Sequence, residues 1–214
     1  MFCRVATHIV GAFVLAAVVS GPAPAAHAAT IFSDNFNEDS TGAKTSTTNF
    51  TVTNLNGSID VIANGDFGLP CVDGNCIDLD GATNVAAVFA SKSITLSPGS
   101  YTLTFDLSGS QRGDTNKVNV SFAGIQLDSI TSASYDPYKL IIETFSLAAT
   151  TTGSITFDET VSPTAGDNKG QLLDDVILQS TDVLEPGSLA LLGSGIMGLA
   201  FFHRRRARFP AANG

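Results

Sequence analysis

The chain has 214 residues, 43% of them hydrophobic, with 20 Asp and Glu against 11 Lys and Arg and a formal net charge of −9. That acidity repels phosphate and excludes nucleic acid as a partner. The length allows one domain with a full core once targeting segments are set aside.

Met1 to Ala28 carries one positive charge at Arg4, an apolar stretch from Ile9 to Val19, a break at Gly21-Pro22-Ala23-Pro24 and a closing Ala26-His27-Ala28. Small residues stand at both positions that a signal peptidase inspects, so residues 1–28 are expected to be a secretory signal peptide cut after Ala28. Cys3 precedes the apolar stretch and leaves with it. Export leaves Cys71 and Cys76, separated by Val72-Asp73-Gly74-Asn75. In an oxidising compartment such an isolated close pair is expected to form a disulfide around a turn, since a metal site needs more ligands and no histidine is nearby.

Residues 29–182 form the expected exported domain. From Asp34 to Asp182 it holds 19 acidic residues against six basic ones, a balance that suits cations. The local pattern is β throughout. Tyr101, Leu103, Phe105 and Leu107 alternate with polar residues, as do Val118, Val120 and Phe122, and again Ile155 and Phe157, the period of half-buried strands. Residues 50–55 and 58–63 flank Asn56-Gly57, the dipeptide best suited to a type I′ turn, and predict a hairpin. Further strands are expected at 30–36, 86–90, 94–96, 125–130, 140–147 and 172–178. They are punctuated by Ser97-Pro98-Gly99, Arg112-Gly113-Asp114, Asp136-Pro137 and residues 163–170. About ten short strands without helical periodicity predict an all-β fold, a two-sheet β-sandwich of jelly-roll type.

Residues 183–208 read as an address. Glu185-Pro186-Gly187-Ser188 precedes an uncharged apolar run from Leu189 to Phe202 and then Arg204, Arg205, Arg206 and Arg208. As a helix the run reaches about 21 Å, short for a bilayer core of about 30 Å. Starting at Gly187, ending at His203 and letting arginine stems snorkel makes residues 187–203 a thin transmembrane helix. The basic tail 204–208 holds that end on the cytoplasmic side, leaving the domain outside.

The series Val183-Leu184-Glu185-Pro186-Gly187-Ser188, the glycine-bearing apolar run and the arginines together resemble the PEP-CTERM sorting signal of Gram-negative bacteria. In that family a Pro-Glu-Pro motif precedes a short hydrophobic segment and a basic tail. Glu185 and Pro186 match the last two motif positions, and Leu184 replaces the first proline. The resemblance implies processing by an exosortase, transit through the inner membrane, and a destination at the cell surface or in the extracellular matrix. A role there as a structural or polysaccharide-binding module follows, with permanent anchoring by the tail as the alternative. The stretches 76–81, 96–113 and 170–176, ending in Leu173-Asp174-Asp175-Val176, look like the exported β-sandwiches that precede such tails. Those are similar to galactose-binding-like and carbohydrate-binding modules.

All three histidines, His8, His27 and His203, lie in the leader or the tail. The domain therefore holds no Ser-His-Asp or Cys-His arrangement and no HExxH zinc site. A polysaccharide-active enzyme would have to use a carboxylate pair about 5 to 10 Å apart, and nothing in the sequence selects one. Calcium is the cofactor that the oxygen donors suggest. Asp73, Asp78 and Asp80 alternate with turn residues. Of Asp174 and Asp175, alternation predicts one beside Leu172, Val176 and Leu178 and the other on the opposite face. In galactose-binding-like domains an acid near the first strand shares calcium with an aspartate on the last, which the resemblance carries over to Asp34 or Glu38 with Asp174. The alternative is that these residues cap turns or face water. For sugar stacking there is no tryptophan. Tyr135 and Tyr138, flanking Asp136-Pro137, form either a small platform or a turn packed on the sandwich edge.

Overall fold

The computed structural model describes residues 28–181. Fourteen strands follow in order: β1 (Ala29–Asp34), β2 (Gly42–Lys44), β3 (Phe50–Val52), β4 (Ile59–Ala63), β5 (Asn75–Asp78), β6 (Val88–Ser91), β7 (Ile94–Leu96), β8 (Gly99–Ser108), β9 (Asn116–Phe122), β10 (Ile125–Ser132), β11 (Lys139–Leu147), β12 (Thr151–Gly153), β13 (Ile155–Asp158) and β14 (Leu172–Ser180). A seven-stranded sheet runs β11-β8-β14-β5-β4-β2, with β1 also paired to β14. A five-stranded sheet runs β10-β9-β13-β6-β3, and β7 pairs with β12. This is the expected sandwich. The expected signal peptide (all but Ala28), the expected transmembrane helix 187–203 and the sorting residues lie outside the described residues.

The alternating residues of β8, β9 and β13 face inward as predicted, and Tyr101, Leu103, Phe105, Leu107, Val118, Val120, Phe122, Ile155 and Phe157 join one buried cluster. Phe36, Phe50 and Phe89 complete it from the other end. Such burial stabilises by roughly 25 cal/mol per Å² of apolar area.

The Asn56-Gly57 hairpin does not form. β3 pairs with β6 in the smaller sheet, whereas β4 pairs with β2 and β5 in the larger one, so the dipeptide carries the chain from one sheet to the other. Asn56 has φ 62, but Gly57 is not in the left-handed region, and a type I′ turn needs both. The side chain of Asn54 explains the crossing: it donates to Ala86 O at 2.9 Å and accepts from Val88 N at 2.8 Å, standing in for a strand partner. The two-residue turn with both φ positive occurs instead at Ala123-Gly124, φ 49 and 80, between β9 and β10.

A second apolar cluster lies apart from the first: Ile62, Leu69, Cys71, Cys76 and Leu172, with Tyr138 packed against it. Cys71 and Cys76 are bonded, with Cα atoms 5.4 Å apart. By closing a short loop the bridge is worth about 2 kcal/mol. Cys71→Ser is expected to lower the unfolding free energy from urea titration by that amount and to make the urea midpoint insensitive to dithiothreitol. A reductant-insensitive wild type would contradict this.

Candidate functional site

Strict alternation along β14 would place Leu172, Asp174, Val176 and Leu178 on one face. The register shifts between Asp174 and Ile177, and Asp175 takes φ 49. This bulge reverses the alternation. Leu173, Val176 and Leu178 face the main core, while Leu172 sits in the second apolar cluster. Bulges re-aim side chains in this way, and here the side chains are carboxylates.

Asp174 is fully buried. Its Oδ2 accepts Val72 N–H at 3.0 Å and its Oδ1 accepts Asp175 N–H at 2.9 Å. Burial pushes its carboxyl up to about 7 despite these two donors, and the charges of Asp175 and Asp73 push the same way. Asp73 comes from the disulfide loop, held by Asn37 Nδ2, which donates to its Oδ1 at 2.9 Å. One oxygen from each of Asp73, Asp174 and Asp175 lies within 4.8 Å of the others. An all-oxygen acidic set of this kind suits a hard divalent cation.

Asp34 and Glu38 share a cleft of 390 Å³ with Asp175, joined by Asn35, Thr48 and Asn49. The β14 carboxylate that lines this cleft is Asp175, whereas the bulge turns Asp174 to the disulfide loop. Asp34 closes a turn by accepting Phe36 N–H at 2.9 Å through Oδ1. Burial raises its carboxyl, offset in part by that donor and by Asn49.

Asp78 and Asp80 do not join Asp73. Both are buried, and Asp78 pairs with Arg112, Nη2 to Oδ2 at 2.5 Å. The Arg112-Gly113-Asp114 turn thus directs its guanidinium into the protein. Glu159 is buried in the same neighbourhood, and Gln171 N–H donates to its Oε1 at 2.9 Å. Sequence reasoning missed Glu159, although Ile155, Phe157 and Glu159 share one alternation and so one inward face.

Tyr135 and Tyr138 form no joint platform. Tyr135 is 73% exposed, whereas Tyr138 packs under the disulfide loop and its hydroxyl is buried, which pushes its pKa up.

Burial also raises the Asp78 carboxyl to about 7, against the attraction of Arg112. In the unfolded chain Asp78 and Asp174 ionise near 3.8, so between these values the folded state binds more protons. Their stabilising contribution is complete below the unfolded value and is lost as pH rises through about 7. With EDTA present, the urea midpoint is expected to fall between pH 5 and pH 8, less steeply in Asp174→Asn. A rising profile would contradict it.

Residues 185–206 match the PEP-CTERM protein-sorting motif. The match contains Glu185, Pro186 and Arg204 to Arg206, and Arg208 lies just beyond it. Among the described residues no helix is long and apolar enough to cross a membrane. No curated protein matches the chain. Among solved structures, the CBM22-1 xylan-binding domain of Paenibacillus barcinonensis Xyn10C superposes with a TM-score of 0.53 at 12% identity, covering 74% of this chain and 99% of that domain. The CBM22-1-CBM22-2 tandem of the same protein gives 0.52 at 13% identity over 77% of this chain, which spans about half, 49%, of the tandem. Identity at this level shows the fold alone. The chain carries a PEP-CTERM protein-sorting motif, the mark of an exported protein sorted to the cell envelope, C-terminal to a β-sandwich whose fold is similar to the jelly roll of carbohydrate-binding modules.

Proposed function

We propose that the sandwich binds extracellular polysaccharide without turning it over. In this reading the tail carries the protein through the inner membrane to the surface or matrix of a Gram-negative bacterium, where an exosortase processes it after signal peptidase has removed residues 1–28. The observation that carries the binding role is the cleft that the paired strands β1 and β14 line together with Asn35, Glu38, Thr48 and Asn49. Its 390 Å³ lies in the size range of small-ligand sites, and its Asp34, Glu38, Thr48, Asn49 and Asp175 side chains are hydrogen-bonding groups suited to sugar hydroxyls. Leu140 and Ile142, 59% and 58% exposed on β11, add apolar contact area elsewhere on the surface. Calcium on Asp73, Asp174 and Asp175 belongs to the same reading, because it would order the bulge that also presents Asp175.

A catalytic role finds less support. Burial, and then Asp128, raise the Glu143 carboxyl, but neither residue lines the cleft at Asp34, Glu38 and Asp175.

Affinity electrophoresis in gels containing exopolysaccharide from the host tests the reading. The protein is expected to be retarded without releasing reducing sugar, and Asn49→Ala with Asp175→Asn should weaken retention about tenfold. Sugar release abolished by one Asp→Asn change would favour the enzyme. Intact mass from the host separates sorting from anchoring: a sorted extracellular form lacks the segment beyond about Glu185, whereas a permanent anchor keeps Gly214 in membranes.

A further inference from the structure

Away from the cleft, the segment joining β13 to β14 is hung on three buried carboxylates. Glu159 Oε1 accepts Gln171 N–H at 2.9 Å. Asp80 Oδ2 accepts Gly166 N–H at 2.8 Å and Asp167 N–H at 3.1 Å. Asp78 Oδ1 accepts Gly170 N–H at 2.8 Å. Gly170 is required: a Cβ there would stand 2.2 Å from Asp80 N and 2.6 Å from both Asp78 Oδ1 and Glu159 Oε2. Those two carboxylate oxygens therefore flank one point.

Two of these six oxygens, and one each on Asp114 and Asp167, are unused. Asp80 Oδ1, Asp114 Oδ2, Glu159 Oε2 and Asp167 Oδ1 are all buried and accept no hydrogen bond. Glu159 and Asp80 are only 1% and 2% exposed, so these atoms are withdrawn from bulk solvent. Unpaired buried carboxylate oxygens are costly. The positive charges at hand are already engaged: Arg112 pairs with Asp78, and Lys169 Nζ lies 3.5 Å from Asp167 Oδ2. Asp78, Asp80 and Asp114 all act electrostatically on Glu159, and Asp167 acts on Asp80. The deficit is of positive charge, and every unused donor is oxygen.

We propose that Asp80 and Glu159, flanked by Asp114 and Asp167, form a calcium-binding site that pins the 159–171 segment to the end of β5 and the start of β9. Oxygen-only donors select a hard cation, and calcium accepts irregular shells of six to eight oxygens where magnesium demands an octahedron. Among the described residues, three carboxylate oxygens come within 4.8 Å of one another at Asp73, Asp174 and Asp175. No three acids around Asp80 and Glu159 form such a group among the described residues, so the proposed site requires the 159–171 segment to close in on the ion. This site is independent of the sugar ligand.

The test uses the full chain, purified, stripped with EDTA and titrated with calcium chloride by calorimetry, together with amide hydrogen exchange. Calcium is expected to slow exchange across 159–171 in the wild type. Glu159→Gln is expected to bind one calcium fewer per chain and to lose that protection, while Asp73→Asn keeps both the protection and this site. Glu159→Gln removes a buried charge and so should fold at least as well as the wild type in EDTA. Asp167→Asn, at a less buried position, is the second variant and should weaken the site about tenfold or more. Unchanged exchange in the wild type, or an equal calcium count in wild type and Glu159→Gln, would overturn the proposal and leave protons as what neutralises the cluster.

Discussion

Arg112→Ala is expected to lower the stability of the sandwich by about 3 kcal/mol at pH 8, the low end of the cost of breaking a buried ion pair. Asp78 is 1% exposed, and the Arg112 guanidinium at 2.5 Å is its ionic partner. The same side chain donates from Nε to Ser110 O at 3.3 Å and from Nη1 to Asn168 O at 2.8 Å. It therefore joins the turn after β8 to the segment before β14, and removing it leaves two carbonyls and a buried carboxylate short of donors. The low end of the range applies because the arginine is 27% exposed and water replaces part of its role.

The loss should depend on pH in a defined direction. Burial already raises the Asp78 carboxyl to about 7 with the arginine present, and without it the carboxyl rises further. Below that value the variant holds Asp78 neutral and needs no counter-ion, so the deficit at pH 5 should be smaller than at pH 8. Urea unfolding of wild type and variant at both values decides it. An equal deficit would show that the packing of the arginine, and not its charge, carries the effect.

Phe50→Ala is the second large effect, about 4 kcal/mol within the range for deleting a buried phenylalanine ring. Phe50 is 1% exposed and its ring stacks on Phe89 at 4.7 Å. It also meets Phe32 at 5.5 Å, Phe36 at 5.7 Å and Phe157 at 6.3 Å. These rings come from strands of both sheets and from the turn after β1, so the ring ties the two layers together. β3 is only three residues long and pairs with β6 alone among the named strands. Its packing, more than its backbone bonds, therefore keeps it in place. Against a total stability of about 5 to 15 kcal/mol, the variant should be marginal at 37 °C. Phe67→Ala, at a ring 89% exposed, should change stability by no more than about 0.5 kcal/mol. Equal urea midpoints for the two variants would remove Phe50 from its central place.

The features legible in the sequence were those whose cause is local. Inward and outward positions on β8, β9 and β13 follow from a period of two, which needs no knowledge of the neighbouring strand. Cys71 and Cys76 are near enough in the chain to meet whatever the fold. The sorting motif at 185–206 is recognised as a linear pattern of motif, apolar run and charge. The short strands β2, β5 and β12 were missed because three or four residues display too little alternation to register.

Strand partners and carboxylate partners depend on long-range contacts, and there local reading failed in instructive ways. Asn56-Gly57 has the composition of a hairpin turn, yet the Asn54 side chain bonds to backbone 32 and 34 residues away and sends the next strand to the other sheet. The bulge at Asp174 and Asp175 moves one carboxylate to the disulfide loop and the other to the cleft beside Asp34. Asp78 and Asp80, which look like neighbours of Asp73 in the chain, lie instead with Arg112, Glu159 and Gly170. The chain alone set the all-β pattern, the acidity, the paired cysteines and the address, because these arise from composition and short-range order. Which acids share a charge, and which oxygens are left without donors, was decided by tertiary structure, since burial and partner distance exist only after the sheets have packed.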